Sequence, residues 1–209
     1  CALPISSPDT GAPKPDSQEP GQFGTPCEEA DDCNSGYCVQ SADGTVCTKT
    51  CEDSCPDGWS CKQLLSSGDA VFLCLPNHPT LCMPCEENSD CQLPGSESVA
   101  RCLRMGDEGS FCGGDCKTVP CPEGYACEDA SDVLGQATKQ CVKSDGICEC
   151  SWLAISKAAS TTCFVTNDLG TCEAVRQCLD DGLTACAAAK PEEEICDGLD
   201  NNCDASVDE

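Results

Sequence analysis

Cysteine occurs twenty-six times in this 209-residue chain, and its spacing repeats. From Pro26 the chain reads PCEEADDC, then Gly36-Tyr37-Cys38, Gly44-Thr45-Val46-Cys47, Cys51, CPDGWSC over 55–61 and Cys74. From Pro84 it reads PCEENSDC, then Cys102, Gly109-Ser110-Phe111-Cys112, Cys116, CPEGYAC over 121–127 and Cys141. Eight cysteines match eight in order, the signature of a tandem duplication. Within each copy, Pro-Asp-Gly and Pro-Glu-Gly read as turns, because glycine supplies a positive φ. The aromatic residues that follow, Trp59 and Tyr125, read as covers for a neighbouring disulfide. Gly-Thr-Val-Cys and Gly-Ser-Phe-Cys read as short strands entered from a turn.

Such a cysteine density marks a disulfide scaffold. There are only eight aromatic residues (Trp 2, Tyr 2, Phe 4) to anchor a core, so cross-links must supply what burial cannot. Zinc is the rival use of thiols, but zinc modules pair C-x2-C knuckles with regularly spaced His or Cys. Here Cys82-x2-Cys85 is the one such pair and His78 the one histidine. Disulfides require an oxidising compartment, so the expected location is extracellular. The expected fold class is small and disulfide-rich, mostly irregular with short β-strands and little helix, its tandem modules strung as elongated beads.

Four segments follow. Residues 1–26 are a proline-rich tether, 27–81 a first cysteine-rich module, 82–147 its repeat, and 148–209 a third, different module. A chain that starts at Cys1 and runs on through spaced prolines resembles a bacterial lipoprotein, whose N-terminal cysteine is acylated. Ala2 is what that resemblance implies for an outer-membrane destination. Against lipidation stands parity: twenty-six is even, and acylating Cys1 leaves one thiol unpaired or bridging between chains. Cys82 and Cys148 sit at matching positions, shortly after the last cysteine of a module, and read as staples between modules. In the third module, 152–159 has room for one or two helical turns, and the rest reads as short strands and turns.

Charge excludes some partners. With 11 basic and 37 acidic residues the formal net charge is -26, so nucleic acid is excluded. A membrane is reached only through a lipid anchor at Cys1. High negative charge supports solubility, and the acids of CEEADDC and CEENSDC are read as solvated. The C-terminal CDGLDNNCDASVDE is more specific. Set on an EF-hand calcium loop, Asp200, Asn202 and Asp204 fill positions 1, 3 and 5, Ser206 position 7 and Asp208 position 9. Ala205 replaces the glycine expected at 6, and the chain given stops before position 12. Asp197 or Glu209 is the candidate for the missing carboxylate, and a Cys196–Cys203 bridge would pre-form the loop. The competing reading is an Asp/Asn loop held by its own side-chain to backbone bonds.

Residues 194–209, EICDGLDNNCDASVDE, resemble the metal-binding motif CDGxDNDCDGxxDE, named after a copper-associated surface protein of methanotrophs and found in large exported cysteine-rich proteins of myxobacteria. The preceding STTCFVTNDLGTCEAVRQCLDDGLTAC resembles the flank of that motif, so the resemblance covers roughly residues 148–209. It implies surface location without established catalysis. The ligands themselves favour calcium over copper, since copper prefers imidazole, thiolate or thioether and these are hard oxygens.

Catalytic patterns are missing: there is no GxSxG, HExxH, P-loop or dinucleotide fingerprint. His78, between Asn77 and Pro79, has no nucleophile in its pattern, and Cys82-Met83-Pro84-Cys85 lacks the βαβ context of a redox motif. The expected function is therefore a non-enzymatic surface structural or interaction protein. It would serve as spacer, adhesin or subunit of a filament or other assembly, with other surface proteins or copies of itself as partners. The alternative is a surface scavenger of calcium or copper.

Overall fold

The structure, a computed structural model, describes residues 19–66, 69–93, 99–146 and 148–208. Cys1, most of the tether and Glu209 lie outside the described residues. The described residues form short antiparallel strands in five small sheets. In repeat 1, β1 (Cys38–Ser41) pairs with β2 (Gly44–Cys47), and β3 (Trp59–Ser66) with β4 (Asp69–Pro76). In repeat 2, β5 (Cys102–Arg104) pairs with β6 (Ser110–Cys112). There β7 (Gly114–Asp115), β8 (Tyr125–Ser131) and β9 (Ala137–Lys143) form a sheet in the order β7-β9-β8. The third module has one short helix, α1 (Trp152–Ser156), and a sheet of β10 (Ser160–Thr166), β11 (Thr171–Leu179) and β12 (Gly182–Leu183). Ser151 caps α1 by accepting from Ala154 N–H at 3.2 Å, as serine does at helix starts.

Twelve disulfides hold these sheets among the described residues. Repeat 1 pairs Cys27–Cys38, Cys33–Cys47, Cys51–Cys61 and Cys55–Cys74. Repeat 2 pairs Cys85–Cys102, Cys91–Cys112, Cys116–Cys127 and Cys121–Cys141. The connectivity is the same in both copies: first with third, second with fourth, fifth with seventh, sixth with eighth. The third module adds Cys150–Cys178, Cys163–Cys186 and Cys172–Cys203. Cys82 and Cys148 pair with each other, joining the start of repeat 2 to the start of the third module. Cys82 stands where repeat 1 has Gly24. Both are left-handed (φ 65° and 82°), and each donates its N–H at 2.8 Å, to the Cys112 and Cys47 carbonyls respectively.

Local chemistry repeats with the disulfides. Trp59 N–H closes a turn on the Pro56 carbonyl and Tyr125 N–H on that of Pro122, with Gly58 and Gly124 both at φ 82°. Trp59 meets Phe23 edge-on, ring centroids 4.8 Å apart, and Lys143 lies over Tyr125. In the acidic loops the last acid is not free charge. The Asp32 carboxylate accepts from Glu28 and Glu29 N–H, and the Asp90 carboxylate from Glu86 and Glu87 N–H, at 2.8–3.0 Å.

The largest apolar cluster spans repeat 2 and the third module. Met83, Cys85, Cys91, Ala100, Cys102 and Cys112 are buried with Leu153, Ala154 and Cys178. Repeat 1 has a smaller cluster of Cys27, Cys33 and Cys47. The seam beside the larger cluster is close. Thr161 is buried, and its hydroxyl accepts from Ser110 N–H at 2.7 Å. A Cβ on Gly109 would lie 2.6 Å from Thr161 Cγ2. Arg176 pairs with Glu108, and the Thr162 hydroxyl donates to Glu86.

Candidate metal loop

The C-terminal loop is mounted on the tip of the β10–β11 hairpin. Asn167 shapes that tip: its Oδ1 accepts from Leu169 N–H at 2.8 Å, and its Nδ2 donates to the Pro191 carbonyl at 2.7 Å. Gly170 follows, and a Cβ built on it would lie 1.8 Å from the carbonyl oxygen of Asn202. Only a bare Cα allows the loop backbone to sit there. Two residues on, Cys172 bridges Cys203. Cys203 is therefore paired with Cys172 and not with Cys196, the partner that the sequence spacing suggests. Seating Asn202 against Gly170 puts Cys203 beside β11, and Cys196 is left exposed and unpaired among the described residues.

Inside the loop, acidic side chains hold backbone amides. Asp200 Oδ1 and Asn202 Oδ1 both accept from Asp204 N–H, at 3.2 and 2.9 Å. Asp200 Oδ2 accepts from Ala205 N–H, and Asp204 Oδ1 from Ser206 N–H, both at 2.9 Å. Asp200, Asn202 and Asp204 are thus gathered on one turn. Ala205, at the position where a calcium loop has glycine, takes φ 74°. The left-handed bend is made although the residue disfavours it. Asp208 serves the other end, its Oδ1 accepting from Asp197 and Gly198 N–H at 3.0 Å each, while Asp197 Oδ1 accepts from Leu199 N–H. Asp197 and Asp208 are placed as caps, and Ser206 enters through its N–H.

Glu194 was not a candidate from sequence, yet it clamps both ends of the loop. Its Oε1 accepts from Asn201 and Asn202 N–H at 2.7 and 2.9 Å, and its Oε2 from Asp208 N–H at 3.2 Å. The signal in the sequence was slight: one glutamate in PEEEIC, indistinguishable in composition from Glu192 and Glu193.

The donor chemistry fits a hard cation. Between 192 and 208 the chain has seven acidic residues and no basic one, and carboxylate and amide oxygens are calcium ligands rather than copper ligands. Among the described residues, three His, Cys, Asp or Glu ligand atoms converge within 4.8 Å only in cysteine groups. These are Cys27, Cys33 and Cys38; Cys51, Cys55 and Cys61; Cys85, Cys91 and Cys112; and Cys116, Cys121 and Cys127. Each contains one complete disulfide and one sulfur of the next. Metal binding requires thiolates, so these are stacked cystines. In the loop, the oxygens of Asp200, Asn202 and Asp204 are turned on backbone amides, and a cation would have to compete for them.

No family model, curated protein or solved structure matches this chain. The oxidising environment follows from the bridges themselves, and no helix among the described residues is long and apolar enough to cross a membrane.

Proposed function

We infer that this is a non-enzymatic structural or interaction protein of the cell exterior, a spacer, adhesin or assembly subunit whose C-terminal loop is set by calcium. The observation that carries the reading is the pairing of cysteines. Twelve bridges, two cysteines each, engage twenty-four of the twenty-six. A small fold stapled at that density is built for persistence outside the cell. The resemblance of residues 194–209 to an exported-protein metal motif supports the same placement, as would an acyl chain on Cys1. Calcium would lift the mutual repulsion of the loop acids and draw Asp200, Asn202 and Asp204 from the backbone amides onto one ion.

Calorimetric titration of the intact protein with calcium and, separately, copper tests this reading, together with amide NMR shifts to locate the ion. Calcium binding confined to residues 194–208 is the expected outcome. Sub-micromolar copper binding, or no response to millimolar calcium, removes the calcium assignment. Turnover in an insulin-reduction assay overturns the non-enzymatic reading.

A further inference from the structure

Four bridges close repeat 1 in two pairs, within 27–47 and within 51–74, which backbone bonds from Thr48 to Tyr37 and from Cys74 to Lys49 join into one body; eight close the remainder within 82–148 and within 150–203, two parts that share one buried cluster. Among the described residues none crosses 75–81. The ends of that linker belong to different bodies. Asn77 is fixed to repeat 1: its N–H donates to the Gly58 carbonyl at 3.0 Å, and its Oδ1 accepts from the Ser60 hydroxyl. Thr80 is fixed to repeat 2, buried, with its hydroxyl donating to the Cys91 carbonyl at 2.9 Å. Between them stand only His78 and Pro79.

The His78 ring is what pins this joint. Its Nε2 lies 3.2 Å from the Pro120 carbonyl oxygen. The ring also fills a notch over Gly114, where an added Cβ would come within 2.4 Å of Nδ1. Repeat 1 has Lys49 at the position of Gly114, so the notch exists in one copy and not the other. A groove of about 730 Å³ beside the joint, lined by Val46 and Trp59 of repeat 1, Pro79, and Pro120 and Pro122 of repeat 2, leaves room for movement. The Leu153 N–H bond to the Ala42 carbonyl, at 3.1 Å, is a further tie from repeat 1 to the rest of the molecule.

We propose that His78 is a pH-sensitive latch on the hinge between the two repeats. Neutral, its ring sits in the notch over Gly114 and fixes the angle between them; protonated, it leaves the notch and the joint opens. The charged groups facing it are Asp115 from β7 and Lys62 from β3. Half-burial of the ring, with Lys62 adding to it, outweighs the Pro120 carbonyl and Asp115 and holds the His78 pKa below its ordinary value. An opened, solvated His78 titrates near about 6.5. The closed joint is therefore fully favoured above that value and loses ground as pH falls through it. The loss levels off below the closed-state pKa.

His78 is the one histidine in the chain, so its ring protons give an unambiguous NMR titration in the intact protein. The expected midpoint lies below 6.5. Residual dipolar couplings of the two repeats, recorded from pH 7.5 to 5, should lose their common frame across that titration. His78→Gln, which cannot take a charge, should give couplings independent of pH over the same range. A midpoint at or above 6.5, couplings that keep one frame throughout, or an unchanged pH response in His78→Gln overturns the latch.

Discussion

Gly170→Ala isolates the seat of the C-terminal loop. Gly170 is not in the left-handed region, so alanine suits its backbone and the penalty is purely steric. The new Cβ would be placed 1.8 Å from the Asn202 oxygen and 2.9 Å from its carbonyl carbon. Non-bonded contacts settle near about 3.5 Å, so the Asn202 carbonyl must retreat by well over an ångström. Overpacking of this kind typically costs ~1–3 kcal/mol. The cost falls on the loop, because β10, β11 and the bridges Cys150–Cys178 and Cys163–Cys186 do not depend on Asn202. Displacing Asn202 also pulls its N–H from Glu194 and its Oδ1 from the Asp204 amide. The thermal midpoint should therefore hardly move. Calcium affinity, read by calorimetry, should fall about tenfold or more, the equivalent of ~1.4 kcal/mol. Partial reduction followed by mass mapping gives a readout independent of the ion, with Cys172–Cys203 becoming more accessible to reductant. Unchanged amide shifts at Asn202 and Cys203, with the bridge no more accessible than before, would refute the argument.

The remaining predictions address the same chemistry elsewhere. Ala205→Gly relieves the left-handed strain at φ 74° and should tighten calcium binding about fivefold, for roughly 1 kcal/mol, as measured by the same titration. Without denaturant or reductant, maleimide labelling should tag Cys196 among the described cysteines, with the bridged ones reacting only after reduction; protection of Cys196 would point to a partner thiol. Backbone bonds from Gln136 first, then the Asn88 amide and Leu134, hold the Asp132 carboxyl below its usual value. The stability it adds is present above the ordinary value near ~4 and lost as pH falls through its lower folded one. Acid titration by circular dichroism should accordingly show Asp132→Asn less stable than wild type at pH 7, with the difference shrinking as the acid limb is descended.

Much of the fold was legible because the cysteines write it twice. The eight-for-eight match placed the modules' loops, and the Pro-x-Gly turns and Gly-x-x-Cys strands were local. The pairing was not legible, since it depends on which sulfurs meet after folding. The seam between repeat 2 and the third module was hidden for another reason. It is made by Gly109, Ser110 and Thr161, small residues that carry no hydrophobic period. The metal loop was half legible. Asp200, Asn202 and Asp204 announced themselves by alternation, because alternating oxygens can wrap one ion. Glu194 did not, because its role is to cap three amides 7, 8 and 14 residues downstream. Cys203 was misassigned because a partner 31 residues away competes poorly, in sequence terms, with one seven residues away.

A scaffold cross-linked this heavily has few places left where a weak interaction can change shape. Each bridge removes freedom from the segment it closes, so motion survives only where bridges do not reach. No bridge crosses 48–50 or 149 either, but backbone bonds from Thr48 to Tyr37 and from Cys74 to Lys49 tie the first and a shared buried cluster ties the modules flanking the second, which leaves residues 77–80 and the stretch from Pro191 to Asp208, reached by the single bridge Cys172–Cys203. At both places a side chain is set against the backbone by charge-sensitive contacts: the His78 ring over Gly114, and the acidic side chains over their own amides. A proton at the first and a divalent cation at the second are the smallest perturbations that exchange those contacts for others. The two sites share no residue and no contact partner, so their responses should add independently. Double perturbation of His78 and Ala205 with additive effects on inter-repeat alignment and calcium affinity is the outcome this division requires.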